Sequence, residues 1–338
     1  MDIWESFIRG EHKMIRIMQI GYGYWGNNVA KKLILSSKFE LEYLVETDLK
    51  KCEMARTTMP NVPVINDYLE KLDEVDAVAI CTQTEYSFQI AMDAMTAGKD
   101  VFIEKPLAKN VALAEQLVKL AKEKNVILHC DHLMIYNPVV RYIKKMIDNG
   151  ELGDVIYIDI SRINLGPIRK DINAMLDLAV HDIAVIDYLL GGFEPEYLDI
   201  VGTKFCGKQE NITYLTMKSG EKLVNINSSW ISPVKVRTTT IGGTKKMVVF
   251  DDLAINKLKI YDSGIDVIQG EIYGDYEFKT RVGDVFMPHI SFEDSLLNSL
   301  EHFADCIVKR KESMSGPEQC IRVMKILEWA QNILKSQK

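Results

Sequence analysis

Two patterns of hydrophobic and polar positions divide the chain near residue 132. Before it, short continuous apolar runs alternate with stretches whose apolar residues recur at helical spacing. Apolar runs of this length are typical of parallel strands buried on both faces by helices. We therefore predict an α/β domain with a doubly wound parallel sheet over residues 1–132. Its strands are predicted at 15–20, 41–45, 62–65, 77–81, 101–103 and 126–128.

After residue 132 the pattern changes to strict alternation. Ile156, Ile158 and Ile160 alternate with Tyr157, Asp159 and Ser161, and a period of two is typical of a strand with one open face. We predict an α+β domain over residues 133–338, with a large, mostly antiparallel, open-faced sheet and C-terminal helices that pack back. Further strands are predicted at 197–202, 211–218, 222–228, 235–241 and 245–250, with turns at 219–220 and 242–243.

The open sheet face predicts a subunit interface, because a broad apolar face would otherwise contact water. We expect a homodimer or homotetramer formed through this sheet. Two helices close the chain. Ser291 with Asp294 resembles a capping box at the start of the first, and Gly316-Pro317 opens the second.

A glycine-rich sequence follows the first predicted strand and precedes a helical pattern. Gly21, Gly23 and Gly26 fit G-x-G-x-x-G, whose glycines permit a tight turn, approach of a pyrophosphate, and helix packing. The N–H groups at the start of the helix attract the anion. Glu46 follows the second strand, where a carboxylate binds the ribose of a dinucleotide. The alternative is a turn without a ligand, which the strand, helix and carboxylate together make the weaker interpretation.

Composition excludes several other functions. The 338 residues suit two domains, and a net charge of −7 argues against a nucleic-acid-binding surface. No apolar stretch approaches the ~20 residues that cross a bilayer, and residues 1–13 lack the apolar core of a signal peptide. We therefore expect a cytoplasmic protein that binds neither nucleic acid nor membranes, with a loosely held extension at residues 1–13.

Neither cysteines nor histidines predict a metal site. The six histidines show no ligand spacing, and the cysteines form no C-x-x-C pair. We expect all the cysteines to be buried, reduced thiols. They are Cys52, Cys81, Cys130, Cys206, Cys306 and Cys320.

Three side chains are predicted to carry chemistry. Lys105 follows the strand at 101–103, and the carboxyl ends of parallel strands face the ligand crevice, where a lysine can stabilise alkoxide character. Asp177 and His181 share one face of a helix, so the carboxylate can orient an imidazole that acts as a general base. Each has a plainer interpretation as a solvent-exposed lysine, a capping aspartate or a hydrogen-bonded histidine. Only the combination favours function.

In their order along the chain these features resemble the glucose-fructose oxidoreductase/inositol dehydrogenase family. The resemblance rests on residues 21–28, 97–107 and 176–182, and it extends from Ile15 to the C-terminal helices. It implies a Rossmann domain and a second α/β domain, with the active site between them. It also implies reversible hydride transfer between NAD(P) and a ring hydroxyl of a sugar or cyclitol.

The resemblance also implies roles for individual residues. Lys105 polarises the reacting oxygen, His181 is the acid/base, and Asp177 positions substrate and histidine. A carboxylate at the ribose repels a 2′-phosphate, so NAD is favoured over NADP. The implied cofactor-binding residues are Gly21, Gly23, Tyr24, Trp25, Gly26, Glu46, Asp48, Thr82, Glu104 and Lys105.

Residues 162–173 resemble a subgroup that oxidises nucleotide sugars, notably at C3 of UDP-N-acetylglucosamine-type sugars. Arginines in this segment would meet a diphosphate, and asparagines a sugar hydroxyl. The alternative is that the basic residues lie on a solvent-exposed loop. The implied substrate-binding residues are Tyr136, Asn137, Arg162, Asn164, Arg169 and Asn173.

Other functions stay open at this point. They are a dehydrogenase of inositol or of a free sugar, a keto-sugar reductase, and a noncatalytic NAD(P)-sensing regulator. Presence of all three chemical residues favours an enzyme. The sequence departs from the family pattern at Gln83 and Ser87, where the family often has a proline or asparagine and a histidine, so that loop's other contacts are not assigned.

Overall fold

The computed structural model describes residues 14–170, 172–269 and 276–337. These residues form two compact units. The first contains the described residues up to Leu133 together with Asp294–Ile321, and the second contains those of Met134–Glu293 and from Arg322 onward. The predicted extension at residues 1–13 lies outside the described residues.

Helices and strands alternate in the first unit, and strands predominate in the second. The strands are β1 (Ile15–Ile20), β2 (Phe39–Val45), β3 (Val64–Ile65), β4 (Ala77–Ile80), β5 (Asp100–Ile103), β6 (Leu128–Cys130), β7 (Val155–Leu165), β8 (Tyr197–Thr203), β9 (Ile212–Ser219), β10 (Lys222–Ser229), β11 (Ile231–Gly243), β12 (Met247–Asp251), β13 (Leu258–Tyr261), β14 (Gly264–Gln269), β15 (Tyr276–Arg281) and β16 (Val285–Phe286). The α-helices are α1 (Tyr24–Leu35), α2 (Leu49–Thr58), α3 (Thr84–Thr96), α4 (Val111–Lys124), α5 (Pro138–Asp148), α6 (Val180–Leu190), α7 (Ser295–Lys309) and α8 (Pro317–Ser336).

The first unit contains the predicted doubly wound sheet. Its strand order is β3-β2-β1-β4-β5-β6, and every neighbouring pair is parallel. Because the order reverses at β1 and β4, their carboxyl ends border the crevice where such sheets bind ligands. The prediction for β6 was early by two residues, since α4 ends at Asn125 in the left-handed conformation (φ 51°) and two residues connect it to the sheet.

Helix α7 completes the core of the first unit. The Phe303 ring lies 6.3 Å from that of Phe39 on β2 and 5.9 Å from that of Phe102 on β5, measured between centroids. The apolar side chains of this helix therefore form part of the core of the first unit. The predicted capping box was wrong, because Asp294 itself is the N-cap and accepts hydrogen bonds from two backbone N–H groups of the first turn.

The second unit contains an eight-stranded sheet in the order β16-β13-β12-β11-β7-β10-β9-β8. Its neighbours are antiparallel except for β7 and β10, which are parallel. A large, mostly antiparallel sheet is thus confirmed, with one parallel pair that the sequence did not predict. Strands β14 and β15 form a separate, two-stranded antiparallel sheet.

The predicted turn at Gly242-Gly243 was wrong. Both glycines lie in β11 and pair with β7, and the chain reverses at residues 244–246. A Cβ on Gly242 would collide with the ring of Tyr157 on β7. Glycine is required here for a close side-chain approach and not for a turn.

The two faces of the large sheet differ in exposure. On β9 and β10, Leu215, Met217, Val224 and Ile226 are buried, whereas Tyr214 on the opposite face is 55% exposed. Asp182 of α6 accepts a hydrogen bond from Arg162, which lies on the buried face of β7. One face of the sheet remains open in the single chain.

The alternation predicted for β7 is confirmed at Ile158 and Ile160, which are buried, but it was wrong at Ile156, which is 47% exposed. The pairing of β7 with β11 shifts register there, because Gly242 and Gly243 pair with Tyr157 and Val155 and leave Ile156 as the extra residue of a β-bulge.

Candidate active site

The glycine-rich sequence forms the turn from β1 to α1. Gly21 has a φ of 95°, and a Cβ there would lie 2.7 Å from the carbonyl oxygen of Cys81, so a larger residue does not fit. A Cβ on Gly26 would collide with the carbonyl oxygen of Gly21. Beyond its chain neighbours, no described atom lies within 4 Å of a Cβ built on Gly23. The backbone at Gly23 therefore borders open space.

The start of α1 has the properties of an anion site. Gly23 is its N-cap, and no side chain among the described residues caps the helix. The first turn carries no acidic residue, and its first side chain, Tyr24, is 89% exposed. Uncapped N–H groups and the helix dipole attract negative charge. Together with the open space at Gly23, these residues fit the pyrophosphate of a dinucleotide.

Glu46 connects the glycine turn to the end of β2. Its carboxylate accepts hydrogen bonds from the backbone N–H groups of Tyr22 at 2.9 Å, Thr47 at 2.9 Å and Asp48 at 3.0 Å. Glu46 is 8% exposed. The structure therefore gives the residue predicted as a ribose ligand an additional role, which is to hold the turn. Asp48 is exposed and caps α2 through the N–H groups of residues 50 and 51.

Trp25 and Glu104, both predicted to contact the cofactor, contact each other. The indole N–H of Trp25 donates a hydrogen bond to Glu104 Oε1. Burial raises the pKa of Glu104 well above its usual range, and the negative charge of nearby Asp131 raises it further. Burial also raises the pKa of Asp131 to about 6, against a hydrogen bond from Ser299 that lowers it. Asp131 is a site neighbour that the sequence alone did not indicate.

Lys105 is half-buried at the carboxyl end of β5, directly after Glu104, and the Lys105–Pro106 peptide bond is cis. Its positive charge partly opposes the rise in the pKa of the Glu104 carboxyl. Thr82 follows β4, the neighbouring strand, and its hydroxyl is 3.0 Å from that of Ser87. The structure thus brings glycine turn, Trp25, Glu104 and Lys105 together within one unit.

Asp177 and His181 lie on a helical segment with an irregular start. Asp177 falls in a π-helical turn, Met175–Ala179, and His181 in the first turn of α6. π-turns inside helices are frequent at functional sites. Asp177 Oδ2 accepts a hydrogen bond from the buried Trp230 Nε1 at 3.2 Å and lies 3.7 Å from Arg169 Nε. Trp230 is distant in sequence, so no local signal indicates its role.

Arg162 has a different environment from the one predicted. Its guanidinium makes three hydrogen bonds of 2.6–2.9 Å to the carboxylate of Asp182 on α6. Arg162 is 9% exposed and Asp182 is 1% exposed. This is a buried ion pair between β7 and α6, and we therefore leave Arg162 out of the proposed diphosphate contacts.

Asn173 is likewise engaged internally. Its amide nitrogen donates to Glu210 at 3.2 Å and to Gln331 at 2.9 Å, and its oxygen accepts from the N–H of Leu176 at 3.0 Å. It is fully buried, so we leave it out of the proposed sugar contacts too. Asn164 is half-buried on β7, and Arg169 has a side chain that is 53% exposed.

The predicted Tyr136-Asn137 pair introduces α5. Tyr136 is fully buried, and the Asn137 side chain caps the helix by accepting from the N–H of Val139 at 2.9 Å.

Of the cysteines, four are buried, but Cys81 and Cys206 are half-buried, so the prediction of six buried thiols was only partly right. Among the described residues, no helix combines the length and apolar character needed to cross a membrane.

The fold and the site together define an α/β dinucleotide-binding protein with a second, sheet-rich unit. The oxidoreductase family profile for the NAD-binding Rossmann fold matches residues 15–132, and the profile for the C-terminal alpha/beta domain of that family matches residues 144–338. The chain therefore belongs to this oxidoreductase family, the one its motifs resemble, and its cofactor domain is of the NAD-binding type.

Individual relatives are distant. The chain is 29% identical over 202 residues to a UDP-N-acetylglucosamine 3-dehydrogenase of Acidithiobacillus ferrooxidans, an alignment that covers 59% of this chain and only 62% of the relative. It is 25% identical over 325 residues to scyllo-inositol 2-dehydrogenase (NAD(+)) of Bacillus subtilis, covering 88% of this chain and 87% of the relative.

Solved structures agree on the fold. The structure of the Acidithiobacillus ferrooxidans UDP-N-acetylglucosamine 3-dehydrogenase superposes with a TM-score of 0.81 at 22% identity, covering 96% of this chain and 98% of the other. At this identity the similarity establishes the fold alone.

Proposed function

We propose that this protein is an NAD-dependent dehydrogenase that oxidises a ring hydroxyl of a sugar or cyclitol. The observation that carries the proposal is the hydrogen bond from Trp25, in the first turn of the dinucleotide helix, to Glu104. This bond brings the anion-binding turn beside the strand end that carries Lys105. The Lys105 ammonium, next to the dinucleotide-binding turn, is suited to bind the oxygen on the carbon atom that loses a hydride.

The roles of the side chains follow from their chemistry. Bound NAD would supply the hydride acceptor. The imidazole of His181 takes the proton of the reacting hydroxyl, and the Lys105 ammonium donates a hydrogen bond to the oxygen as negative charge develops. Asp177 orients the imidazole and the substrate, and Trp230 and Arg169 hold that carboxylate. In the reverse direction, as a keto-sugar reductase, the same groups return the proton.

NAD is preferred over NADP in this proposal. The carboxylates of Glu46 and Asp48 lie at the end of β2 and the start of α2. Negative charge at this edge repels a 2′-phosphate. The exposed Lys50 and Lys51 reduce that repulsion, so we expect a preference in affinity and not complete exclusion of NADP.

We propose a nucleotide sugar, of the UDP-N-acetylglucosamine type and oxidised at C3, as the first substrate to test. One curated relative has this activity by name, and the exposed Arg169 offers a guanidinium for a diphosphate. The second candidate is an inositol, since a named scyllo-inositol dehydrogenase aligns over 88% of the chain.

The test is formation of NADH, followed by its absorbance, with UDP-N-acetylglucosamine, scyllo-inositol and glucose at equal concentrations. Turnover of the nucleotide sugar with kcat/KM at least tenfold above the others supports the first candidate. Turnover of inositol alone replaces it. NAD binding without turnover of any polyol or keto-sugar favours the noncatalytic regulator.

Loss-of-function variants separate catalysis from binding. We expect Lys105→Ala and His181→Ala to lower kcat by at least a hundredfold. NADH affinity, measured by calorimetry, should change little in His181→Ala. Undiminished turnover in both variants would refute these roles. The solvent-exposed Lys119→Ala is the matched control, since its side chain is 78% exposed on α4.

We also propose that the open face of the large sheet forms the interface of a homodimer or homotetramer. Exposed apolar side chains on it include Tyr214 and Val201, at 55% and 54% exposure. The substitution Val201→Glu should shift the mass measured by light scattering toward the monomer. An unchanged mass, or a monomeric wild type, would refute this interface.

A further inference from the structure

A buried cluster of metal-ligating side chains lies in the first unit, outside the residues used above. Cys130 is the last residue of β6, His132 follows two residues later, and Cys320 lies in the first turn of α8. One ligand atom from each, two Sγ atoms and a ring nitrogen, lie within 4.8 Å of one another. All three residues are at most 2% exposed.

Backbone hydrogen bonds hold the cluster in place. The N–H of Cys130 donates to the carbonyl oxygen of Ser315 at 3.0 Å, and the Sγ of Cys320 lies 3.5 Å from the same oxygen. The N–H of His132 donates to the carbonyl oxygen of Cys130 at 2.7 Å. The segment before α8 is thus tied to the end of β6, which brings the second thiol to the first.

The imidazole is oriented by a neighbour on α8. His132 Nδ1 is 3.0 Å from Oε1 of Gln319, an amide oxygen that can only accept. An acceptor at this position favours the tautomer with the hydrogen on Nδ1, which leaves the lone pair on Nε2. Metal-binding histidines are commonly held in this way by an acceptor on the other ring nitrogen.

The charge balance of the site suits a divalent cation. Two thiolates and one neutral imidazole around a 2+ ion have a net charge of zero, which a buried site requires. Both thiols lose their protons when the ion binds, since the thiolate is the form that coordinates a metal. The start of α8 favours the negative charge of the Cys320 thiolate.

We propose that Cys130, His132 and Cys320 bind one zinc ion through two thiolates and the Nε2 nitrogen. The site is structural, because the ligands are buried and fasten α8 to β6. The ligand set favours zinc over magnesium or calcium, which prefer oxygen ligands. The prediction that the chain has no metal site considered only the spacing of histidines and cysteines along the sequence, whereas the third ligand comes from a distant part of the chain.

Metal content of the purified full chain is the first test. We expect about one zinc per chain, and loss of at least 80% of it in Cys130→Ser and in Cys320→Ser. The half-buried Cys206→Ser is the matched control and should keep its zinc. Equal zinc in all proteins, or none in the wild type after expression with added zinc, would overturn the proposal.

Two measurements on the wild type keep the test valid if the variants fail to fold. Protein expressed in cobalt-supplemented medium should show thiolate-to-cobalt charge-transfer absorption and the visible bands of tetrahedral Co²⁺. X-ray absorption of the zinc form should show two sulfur ligands and at least one nitrogen. Oxygen-only ligation would overturn the proposal.

A disulfide between Cys130 and Cys320 is the competing outcome. It would appear as the loss of two hydrogen masses in the intact, non-reduced protein, without bound metal, and would overturn the zinc site. For the zinc protein we expect both thiols to be intact and slow to alkylate until a chelator is added. Full alkylation at the same rate with and without chelator would count against it.

Discussion

The backbone N–H of Tyr22 donates a 2.9 Å hydrogen bond to Glu46 Oε2, which fastens the glycine turn to the carboxyl end of β2. The same carboxylate accepts from two further N–H groups where the chain enters α2. A residue placed by its spacing as a ribose ligand therefore also shapes the turn that borders the pyrophosphate. Cofactor affinity should depend on it in both ways.

Substitution of Glu46 is expected to weaken cofactor binding. Glu46→Ala removes all three accepted bonds, and charge-assisted bonds of this kind are the strong ones, so NADH affinity should fall by about tenfold or more. Glu46→Gln retains one acceptor oxygen and should have a smaller effect. Calorimetry checks both, with Asp67→Ala, a cap of a separate short helix, as the control. Equal affinities would show that Glu46 has neither role.

The Glu104 carboxyl should make stability depend on pH. Burial, and then the charge of Asp131, raises the pKa of this carboxyl in the folded protein. Its contribution to the free energy of unfolding is therefore fully present below the unfolded pKa of about 4.3, and it is lost as pH rises through the folded pKa. In Glu104→Gln this loss should disappear. Urea unfolding at a series of pH values checks the slope, with the exposed Glu85→Gln as the control. Parallel curves for wild type and Glu104→Gln would contradict the prediction.

Two arginines of one segment should behave differently. Arg162→Met leaves Asp182 as a buried, uncompensated charge, so unfolding free energy should fall by about 3–5 kcal/mol. Arg169→Ala, at an exposed position, should change stability by less than about 0.5 kcal/mol but raise the KM of a diphosphate-bearing substrate. Urea unfolding and steady-state kinetics measure both. A stable Arg162→Met protein would mean that the ion pair contributes little.

Trp230 is expected to act as a positioning residue for Asp177. Trp230→Phe removes the indole N–H while retaining an aromatic ring, so kcat should fall roughly fivefold, as the loss of one hydrogen bond of about 1 kcal/mol implies. NADH affinity should not change. Trp329→Phe, at a 40% exposed tryptophan on α8, is the control. A changed KM with constant kcat would argue for a substrate contact instead.

Asp294 should stabilise α7 as its N-cap. Burial raises the pKa of Asp294, but the bond from Lys32 and the backbone N–H groups outweigh it, and the pKa is lowered. The stabilisation is present above the ordinary pKa and is lost as pH falls through the folded value. Asp294→Ala should cost about 1 kcal/mol near neutral pH, whereas Asp294→Asn keeps the cap. A difference between wild type and Asp294→Ala that persists unchanged into acid would contradict this.

Features that depend on neighbouring residues were predictable from the sequence. The continuous apolar strands, the alternation of β7 from Ile158 to Ser161, and the turn at Gly21 follow from periodicity and from the φ values that only glycine adopts easily. The glycine turn and Lys105 follow β1 and β5, as predicted, because each lies next to a strand that its own apolar residues define. Strands β13 to β16 were not predicted from the sequence.

Only the tertiary structure decided which distant residues contact each other. The sequence of β7 does not show that Arg162 contacts Asp182. The glycines at 242–243 are typical of a turn, and only the structure shows that the ring of Tyr157 packs against Gly242. Strand order and the parallel pairing of β7 with β10 determine these contacts, and both depend on packing of the whole unit. Local patterns predict secondary structure and the positions that need an unusual backbone conformation. Residues far apart in the sequence, such as Cys130 and Cys320, are brought together only by the fold.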